Sequence, residues 1–356
     1  MSGGSILEAR GLVRHYAVDK GFWRLGSGRT VKAVDGVDLA IEHGETLAIV
    51  GESGCGKSTL ARLLLRLEAP TSGSVLFAGR DLATLPEAEM RPLRAKLQLI
   101  FQDPFASLNP RMTVRQIIEE PLIVHGMGDA TARRRRAEEI ASFVGLRAGL
   151  LDRWPHEFSG GQRQRIGIAR ALVSGPELVV GDEPVSALDV SVRAQVINLL
   201  QDLKERLALT LIVISHDLAV VRHMADRVGV MYLGRLVELA PTDRLFRAAA
   251  HPYTRALLAA VPQPDPSLRG KRQILEGDVP SPVDPPSGCR FRTRCTYAID
   301  RCARDTPPLD LHADGHHVAC HRATDLPAAE PVEANRPSPA LARRLGLFAA
   351  AGAPGR

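Results

Sequence analysis

The chain has 356 residues, 45% hydrophobic and 24% charged, with a formal net charge of +6 at pH 7. That length exceeds one ordinary domain, so one large domain with an appendage, or two domains, is expected, with apolar content enough for a sizeable core. No apolar run approaches the ~20 residues a membrane-spanning helix needs, and Met1 to Arg10 lacks the basic-then-apolar layout of a secretion signal. The expectation is a cytosolic chain that touches a membrane only through a partner. The positive surplus is a weak argument for nucleic acid. Lys and Arg are spread along the whole length and aromatic residues make up 4%; nearby anionic lipid headgroups would explain the surplus equally well.

From Ile6 to about Ala240, short apolar strands alternate with amphipathic helices, the pattern of an α/β layer fold. Thr46 to Val50 reads as a buried strand and Ser58 to Leu67 as the helix after it. Between them, Gly51, Glu52, Ser53, Gly54, Cys55, Gly56, Lys57, Ser58 and Thr59 fit G-x-x-x-x-G-K-[ST]. Glycines let backbone N–H groups turn inward around phosphate oxygens, and the helix start adds partial positive charge. In such a loop Lys57 reaches the β- and γ-phosphates, the Ser58 hydroxyl ligates Mg²⁺, and Cys55 is a loop residue without a nucleophilic role.

Leu97 to Phe101 reads as a short strand ending at Gln102. Asn109 to Ser174 carries almost no strand signal and reads as an inserted helical subdomain, spanning about residues 103–174. Within it, the basic run Arg133 to Arg136 beside Glu138 and Glu139 is a solvated face with i,i+4 pairing. Phe158-Ser159-Gly160-Gly161-Gln162-Arg163-Gln164-Arg165 precedes a helical run, with Ser159 as the cap, making a second anion-binding helix start. One nucleotide needs only one such cradle, so this one is expected to serve the nucleotide of another subunit across a head-to-tail dimer.

Glu177 to Gly181 and Leu209 to Ser215 look like further central strands. The first leads into Asp182 and Glu183 at its carboxyl end, where open α/β sheets bind ligands. Asp182 would hold the Mg²⁺ shell and Glu183 would orient or deprotonate the attacking water. His216 follows the second strand. Gln102 and His216 could converge on the same phosphate, Gln102 through Mg²⁺ or water.

After His251 the texture changes. Pro262 to Pro286 is crowded with Pro, Asp and Gly, a boundary signal. Cys289, Cys295, Cys302 and Cys320 then fall close together; in a reducing cytosol this points to metal rather than disulfides, and four thiolates suit either Zn²⁺ or a [4Fe–4S] cluster. The remainder, from Arg322, is Ala- and Pro-rich and reads as a loose tail.

Taken in order, GESGCGKST, Gln102, FSGGQRQR, VVGDEP, Ser186-Ala-Leu-Asp189 and His216 resemble the ABC ATPase family over roughly residues 5–260. The resemblance implies a P-loop NTPase (RecA-like) α/β core with an inserted helical subdomain and a small cysteine-rich C-terminal extension. It also implies that Ser159 to Gln162 close on the partner's ATP and that Ser186 and Asp189 belong to a turn coupling the two sites. Tyr16 sits where the family keeps an aromatic residue that stacks on adenine, although a longer stretch than usual, Ala17 to Thr30, follows it. Phe158 and Val185 are mild departures. Phe101 to Arg111, His251 to Leu258 and Gly277 to Cys289 are similar to the oligopeptide and dipeptide permease branch, nearer its second, F-type ATPase.

The expected layout is therefore an ATPase domain at 1–260, an extension at 261–325 and a flexible tail at 326–356. The implied cofactors are ATP, Mg²⁺ and, favoured over zinc by the resemblance, a [4Fe–4S] cluster on the four cysteines. Implied partners are two permease subunits and a second ATPase subunit at the cytoplasmic face of the inner membrane, with an extracytoplasmic solute-binding protein acting indirectly and no nucleic acid. A soluble ABC ATPase working on nucleic acid or ribosomes is the alternative; the single cassette and compact insert weigh against it. The cargo, whether dipeptide, oligopeptide, nickel chelate or glycoside, is not written in this chain.

Overall fold

The structure is a computed structural model and describes residues 4–18, 29–261, 277–313 and 315–329. Strands β1 (Ser5–Ala17), β2 (Thr30–Glu42) and β3 (Thr46–Val50) open the chain, followed by α1 (Lys57–Leu64), β4 (Ser72–Phe77), β5 (Arg80–Asp81), α2 (Glu87–Arg94) and β6 (Leu97–Ile100). Helices α3 (Pro104–Ser107), α4 (Val114–Val124), α5 (Ala130–Phe143) and α6 (Gly160–Leu172) come next. Then follow β7 (Leu178–Asp182), α7 (Val190–Leu207), β8 (Thr210–Ser215), α8 (Leu218–Met224), β9 (Arg227–Tyr232) and β10 (Arg235–Pro241). The described chain closes with α9 (Thr242–Ala248), α10 (Pro252–Ala259), α11 (Asp300–Arg304), β11 (Asp310–Ala313) and β12 (His316–Val318).

The strands form two sheets. One is antiparallel, in the order β2-β1-β4-β5; the other runs β11-β12-β10-β9-β3-β8-β7-β6, and its stretch from β9 to β6 is parallel. β3 and β8 are buried along their whole length, which is why they read as unbroken Val, Ile and Leu with no polar alternation. β2 shows the opposite pattern. Val37, Leu39 and Ile41 are buried while Asp38, Ala40 and Glu42 are exposed, the period of a sheet with one face in water. These inward residues meet Leu47 and Ile49 of β3 and Leu60, Leu63 and Leu64 of α1 in one core. Each such buried Ile or Leu contributes roughly 1.5–3 kcal/mol relative to exposure.

The helices between β6 and β7 start from strong local caps. Thr113 and Gln116 form a reciprocal capping box at α4, Asp129 caps α5, and Ser159 with Gln162 repeats the capping box at α6. Their apolar faces do not form a core of their own. Ile117, Ile118, Ile140 and Ile166 share one cluster with Val179 of β7, Val196 of α7 and Leu211 and Val213 of β8.

Beyond residues 262–276, which lie outside the described part, the chain returns to the main sheet. β12 pairs with β10, matching Glu238 with Val318 and Leu239 with His317, so the segment expected as a separate appendage extends the central sheet. A buried charge pins it there. Glu238 is fully buried and accepts from His316 Nε2 at 2.7 Å and from the backbone N–H groups of Ala250 at 2.7 Å and His251 at 3.0 Å. Burial raises its pKa, but these donors outweigh that and hold the carboxyl below its ordinary range. Removing one partner of such a buried pair typically costs about 3–5 kcal/mol. Of the expected loose tail, residues 330–356 also lie outside the described part.

His251 caps α10 through Nδ1, which accepts from the Tyr253 N–H at 3.0 Å, and burial depresses its pKa from 6.5 to about 4. The unfolded chain therefore binds a proton near pH 6.5 that the folded chain refuses until about pH 4. Stability contributed by neutral His251 is complete above pH 6.5 and is lost as pH falls, by about 3 kcal/mol once the range is crossed. Asn can make the same cap, so in denaturant titrations between pH 4 and 7 the His251→Asn chain should lose about one proton from the pH dependence of unfolding.

Candidate nucleotide site

The loop from Gly51 to Gly56 leaves the buried end of β3 and enters α1. A side chain at Gly51 would run into the Met231 carbonyl, and one at Gly56 into the Ala33 carbonyl; both glycines adopt positive φ, at 154° and 107°. Gly56 caps α1 without any side-chain bond, so the first N–H groups of the helix are left for an anion. Lys57 is buried, with Nζ donating to the carbonyls of Gly51 at 2.8 Å and Glu52 at 2.9 Å and lying 3.8 Å from Cys55 Sγ. Burial pushes the Cys55 thiol up, which fits a packing role and no nucleophilic one. Ser53 and Gly54 are exposed, and Thr59 is half-buried on the first turn of α1.

The carboxylates approach this loop from the end of β7, which β8 separates from β3 in the sheet. Ser58 Oγ donates to Asp182 Oδ1 at 3.0 Å. Glu183 lies in the left-handed region at φ 47°, and each of its oxygens has a partner: Gln102 Nε2 donates to Oε2 and His216 Nδ1 is bonded to Oε1, both at 3.0 Å. Ser58 with Asp182, and Gln102 and His216 with Glu183, thus make two bonded sets joined through the adjacent Asp182 and Glu183, with Lys57 next to Ser58 at the start of α1. Burial pushes the Asp182 carboxyl up, and the nearby Glu183 charge adds to the effect against the Ser58 bond. Arg62 and Lys57 pull it the other way without reversing the shift. A half-buried carboxylate beside a hydroxyl is an oxygen pair that suits a hard divalent cation. Ser58 and Asp182 therefore fit Mg²⁺, with a triphosphate over the loop, while Gln102 is turned to Glu183.

The second helix start is a distinct place. Ser159 Oγ accepts from the Gln162 N–H at 3.4 Å and the Ser159 N–H donates to Gln162 Oε1 at 3.0 Å. Gly161 packs against Val192 of α7 so closely that any side chain there would clash. Ser186 donates to the Glu183 carbonyl at 3.1 Å, and Asp189 precedes α7 as its N-cap. Arg193 then bonds the Leu188 carbonyl at 3.3 Å and Asp217, next to His216, at 3.0 Å. Tyr16 lies on β1; its hydroxyl donates to Glu68 at 2.6 Å and the Arg14 guanidinium sits 4.6 Å from its ring centre.

The cluster expected on Cys289, Cys295, Cys302 and Cys320 is not borne out. Among the described residues no group of three or more His, Cys, Asp or Glu is arranged to hold a metal ion. The four thiols face a small space shared with Phe291 and Tyr297. Burial raises Cys289 to about 11 and pushes Cys295 and Cys320 up as well, and a protonated thiol is a packing group rather than a ligand. Sequence reasoning also missed Tyr253, whose hydroxyl accepts from the Glu52 N–H at 2.9 Å, and Arg294, which holds the Glu52 carboxylate. His251 to Leu258 had been singled out as a motif, but nothing local in it indicated a bond to the phosphate loop.

Comparison with known proteins agrees with this geometry. A family model described as ABC transporter matches residues 34–186, and one described as the oligopeptide/dipeptide transporter C-terminal region matches residues 237–302. A putative peptide import ATP-binding protein of Brucella ovis is 53% identical over 317 residues, covering 89% of this chain and 98% of the relative. The putative oligopeptide transport ATP-binding protein YkfD of Bacillus subtilis is 54% identical, covering 89% and 95%. Its oligopeptide transport ATP-binding protein AppF is 51% identical, covering 89% and 97%. Among solved structures, the dimeric post-hydrolysis state of the ATP-binding cassette MJ0796, bound to ADP and Pi, superposes with a TM-score of 0.59 at 30% identity, covering 66% of this chain and 98% of that one. With the loop, the paired carboxylates and the helix start in place, this chain belongs to the ABC transporter family of ATP-binding proteins.

Proposed function

We propose that this chain is the ATP-hydrolysing subunit of an importer that takes up peptides across the bacterial cytoplasmic membrane. The observation that carries the reading is the bonded group formed by Ser58 with Asp182 and by Glu183 with Gln102 and His216 beside the phosphate loop. The names of the relatives, peptide import and oligopeptide transport, support peptides as the cargo class; neither they nor the geometry favours nucleic acid.

Backbone N–H groups of the loop and the α1 start bind the phosphates, and Lys57 swings from the loop carbonyls to the β- and γ-phosphates. Mg²⁺, when bound with ATP, neutralises phosphate charge. Glu183 orients the attacking water and takes its proton, which requires Gln102 and His216 to yield the two carboxylate oxygens they occupy; His216 then turns to the γ-phosphate. Tyr16 stacks on adenine. Ser159 to Gln162 complete the site of a second ATPase subunit, and the turn from Ser186 to Asp189 joins the two sites.

Residues 1–260 act as the ATPase domain, with about 103–174 as its helical subdomain, 261–325 as the extension and 326–356 as a tail. The subdomain receives a cytoplasmic helix of the permease. Arg91, Ile123, Val124 and His125 line an open groove of about 350 Å³ there, and Ile123 and Val124 are exposed. No described helix is long and apolar enough to cross a membrane, so attachment to the cytoplasmic face runs through two permease subunits, with the external binding protein acting through them.

Replacing Glu183 by Gln should lower kcat by about a hundredfold or more while leaving ATP affinity within about twofold, and should accumulate an ATP-bound dimer in gel filtration. Ser159→Arg separates the two half-sites. Nucleotide affinity of the isolated chain should stay unchanged, while ATPase activity of the assembled complex should fall by about a hundredfold.

A further inference from the structure

The phosphate loop is held from outside at its second residue, and the holding groups come from the far end of the chain. Arg294 grips the Glu52 carboxylate with both terminal nitrogens, at 2.8 Å to Oε2 and 3.1 Å to Oε1. The Arg294 side chain is 5% exposed and that of Glu52 24%, so the guanidinium is buried while the carboxylate keeps an edge toward solvent. The Glu52 bond, together with Tyr232, outweighs burial and raises the Arg294 pKa further. Such two-point guanidinium–carboxylate bonding fixes direction as well as distance. The Glu52 N–H is bonded to the Tyr253 hydroxyl at 2.9 Å, and the Glu52 carbonyl accepts from Lys57 at 2.9 Å.

A second arginine, four residues earlier, braces the loop from behind. Arg290 bonds the Leu233 carbonyl and the Asp35 carboxylate; the next residue, Gly234, donates its N–H to the Cys55 carbonyl at 2.8 Å. Burial pushes Asp35 up, but His15, Arg235 and Arg290 more than offset it and hold the carboxyl at about 2. Phe291 lies between the two arginines in sequence and packs on Tyr232 and Tyr253, with ring centres 5.3 and 5.4 Å apart. The cysteine segment is thus seated on the loop by two guanidinium contacts and an aromatic wedge.

We propose that residues 289–295 form a positioning element for the phosphate loop, in which Arg294 holds Glu52 so that the loop keeps its anion-binding shape when Lys57 leaves the carbonyls of Gly51 and Glu52 for phosphate. ATP affinity is thereby tied to the seating of the cysteine segment. Arg294 is a positioning residue, acting through Glu52 and touching no phosphate. This rests on the reading of residues 51–59 as the ATP loop.

The test measures binding of a fluorescent ATP analogue and the split between KM and kcat in full-length Arg294→Gln, Arg294→Lys, Glu52→Gln and the double variant, with Lys57→Ala as the control. Arg294→Gln should weaken the analogue and raise KM for ATP by about tenfold, as loss of a part-buried, two-point charge-assisted pair predicts, with kcat within about twofold because the reacting groups are untouched. Glu52→Gln should do the same, the double variant should be no worse than either single change, and Arg294→Lys should recover part of the affinity. The charge-reversed pair Glu52→Arg with Arg294→Glu should recover more than either reversal alone, which separates positioning from misfolding. Unchanged KM in Arg294→Gln, or independent multiplying effects in the double variant, overturns the proposal. Unchanged binding in Lys57→Ala would instead overturn the reading of the loop.

Discussion

The parallel alignment of β3, β6, β7 and β8 is the constraint on which the site depends. All four strands finish at the same edge, so residues 57, 102, 182 and 216 all follow or close strand ends on that edge. Register does the rest. Val50 lies beside Ser215, Asp182 beside Ile214 and Ile100 beside Gly181. A slip of one residue would move a strand end by about 3.3 Å, more than a hydrogen bond tolerates, and would turn its side chains to the opposite face. The full burial of β3 and β8 therefore matters to chemistry as well as to stability, because it fixes the register of the strands at the centre of that edge.

Much of that edge was legible because the relevant signals are local. A glycine loop between a strand and a helix, two acids closing an apolar run, and a serine three residues before its capping glutamine each carry their geometry within a few residues. Gly160–Leu172 begins at the serine that the pattern marked as a cap. What escaped the sequence was pairing at long range. The bond from Arg294 to Glu52 spans 242 residues, and β12 joins β10 across a stretch that reads as a domain boundary. Composition marks where the chain turns; it says little about where the chain returns. The four cysteines show the complementary error. Their spacing satisfied a ligand count, while burial raises the thiols of Cys289, Cys295 and Cys320, which spacing does not encode.

The charge balance acquires a different meaning once partners are visible. Asp35 alone engages His15, Arg235 and Arg290, Glu52 engages Arg294, and Asp152 and Glu138 share Arg115. Many arginines are thus spent on joining distant segments, and they are not free to form a contiguous phosphate-tracking surface. Arginine suits this work because its planar fork binds a carboxylate at two points and stays ionised when partly buried.

The same bracing connects the helices between β6 and β7 to the Glu183 carboxylate. Residues 101–107 lead from β6 into α3 and are tied down by α6. Arg170 donates to the Ser107 carbonyl at 2.5 Å and lies 5.6 Å from the Phe101 ring centre, and Arg163 sits 4.2 Å from that of Phe105. Gln102 lies within this stretch and bonds Glu183. α6 also starts at Ser159 and presses Gly161 onto α7, whose first turn reaches Asp217 beside His216. Both side-chain partners of Glu183 are therefore mechanically joined to one helix, Gln102 through the 101–107 segment and His216 through Arg193. Because the core beneath is close-packed and continuous from α4 to β8, a displacement of α6 cannot be absorbed locally. Its routes outward run through the 101–107 segment beside Gln102 and through α7 to Asp217 beside His216.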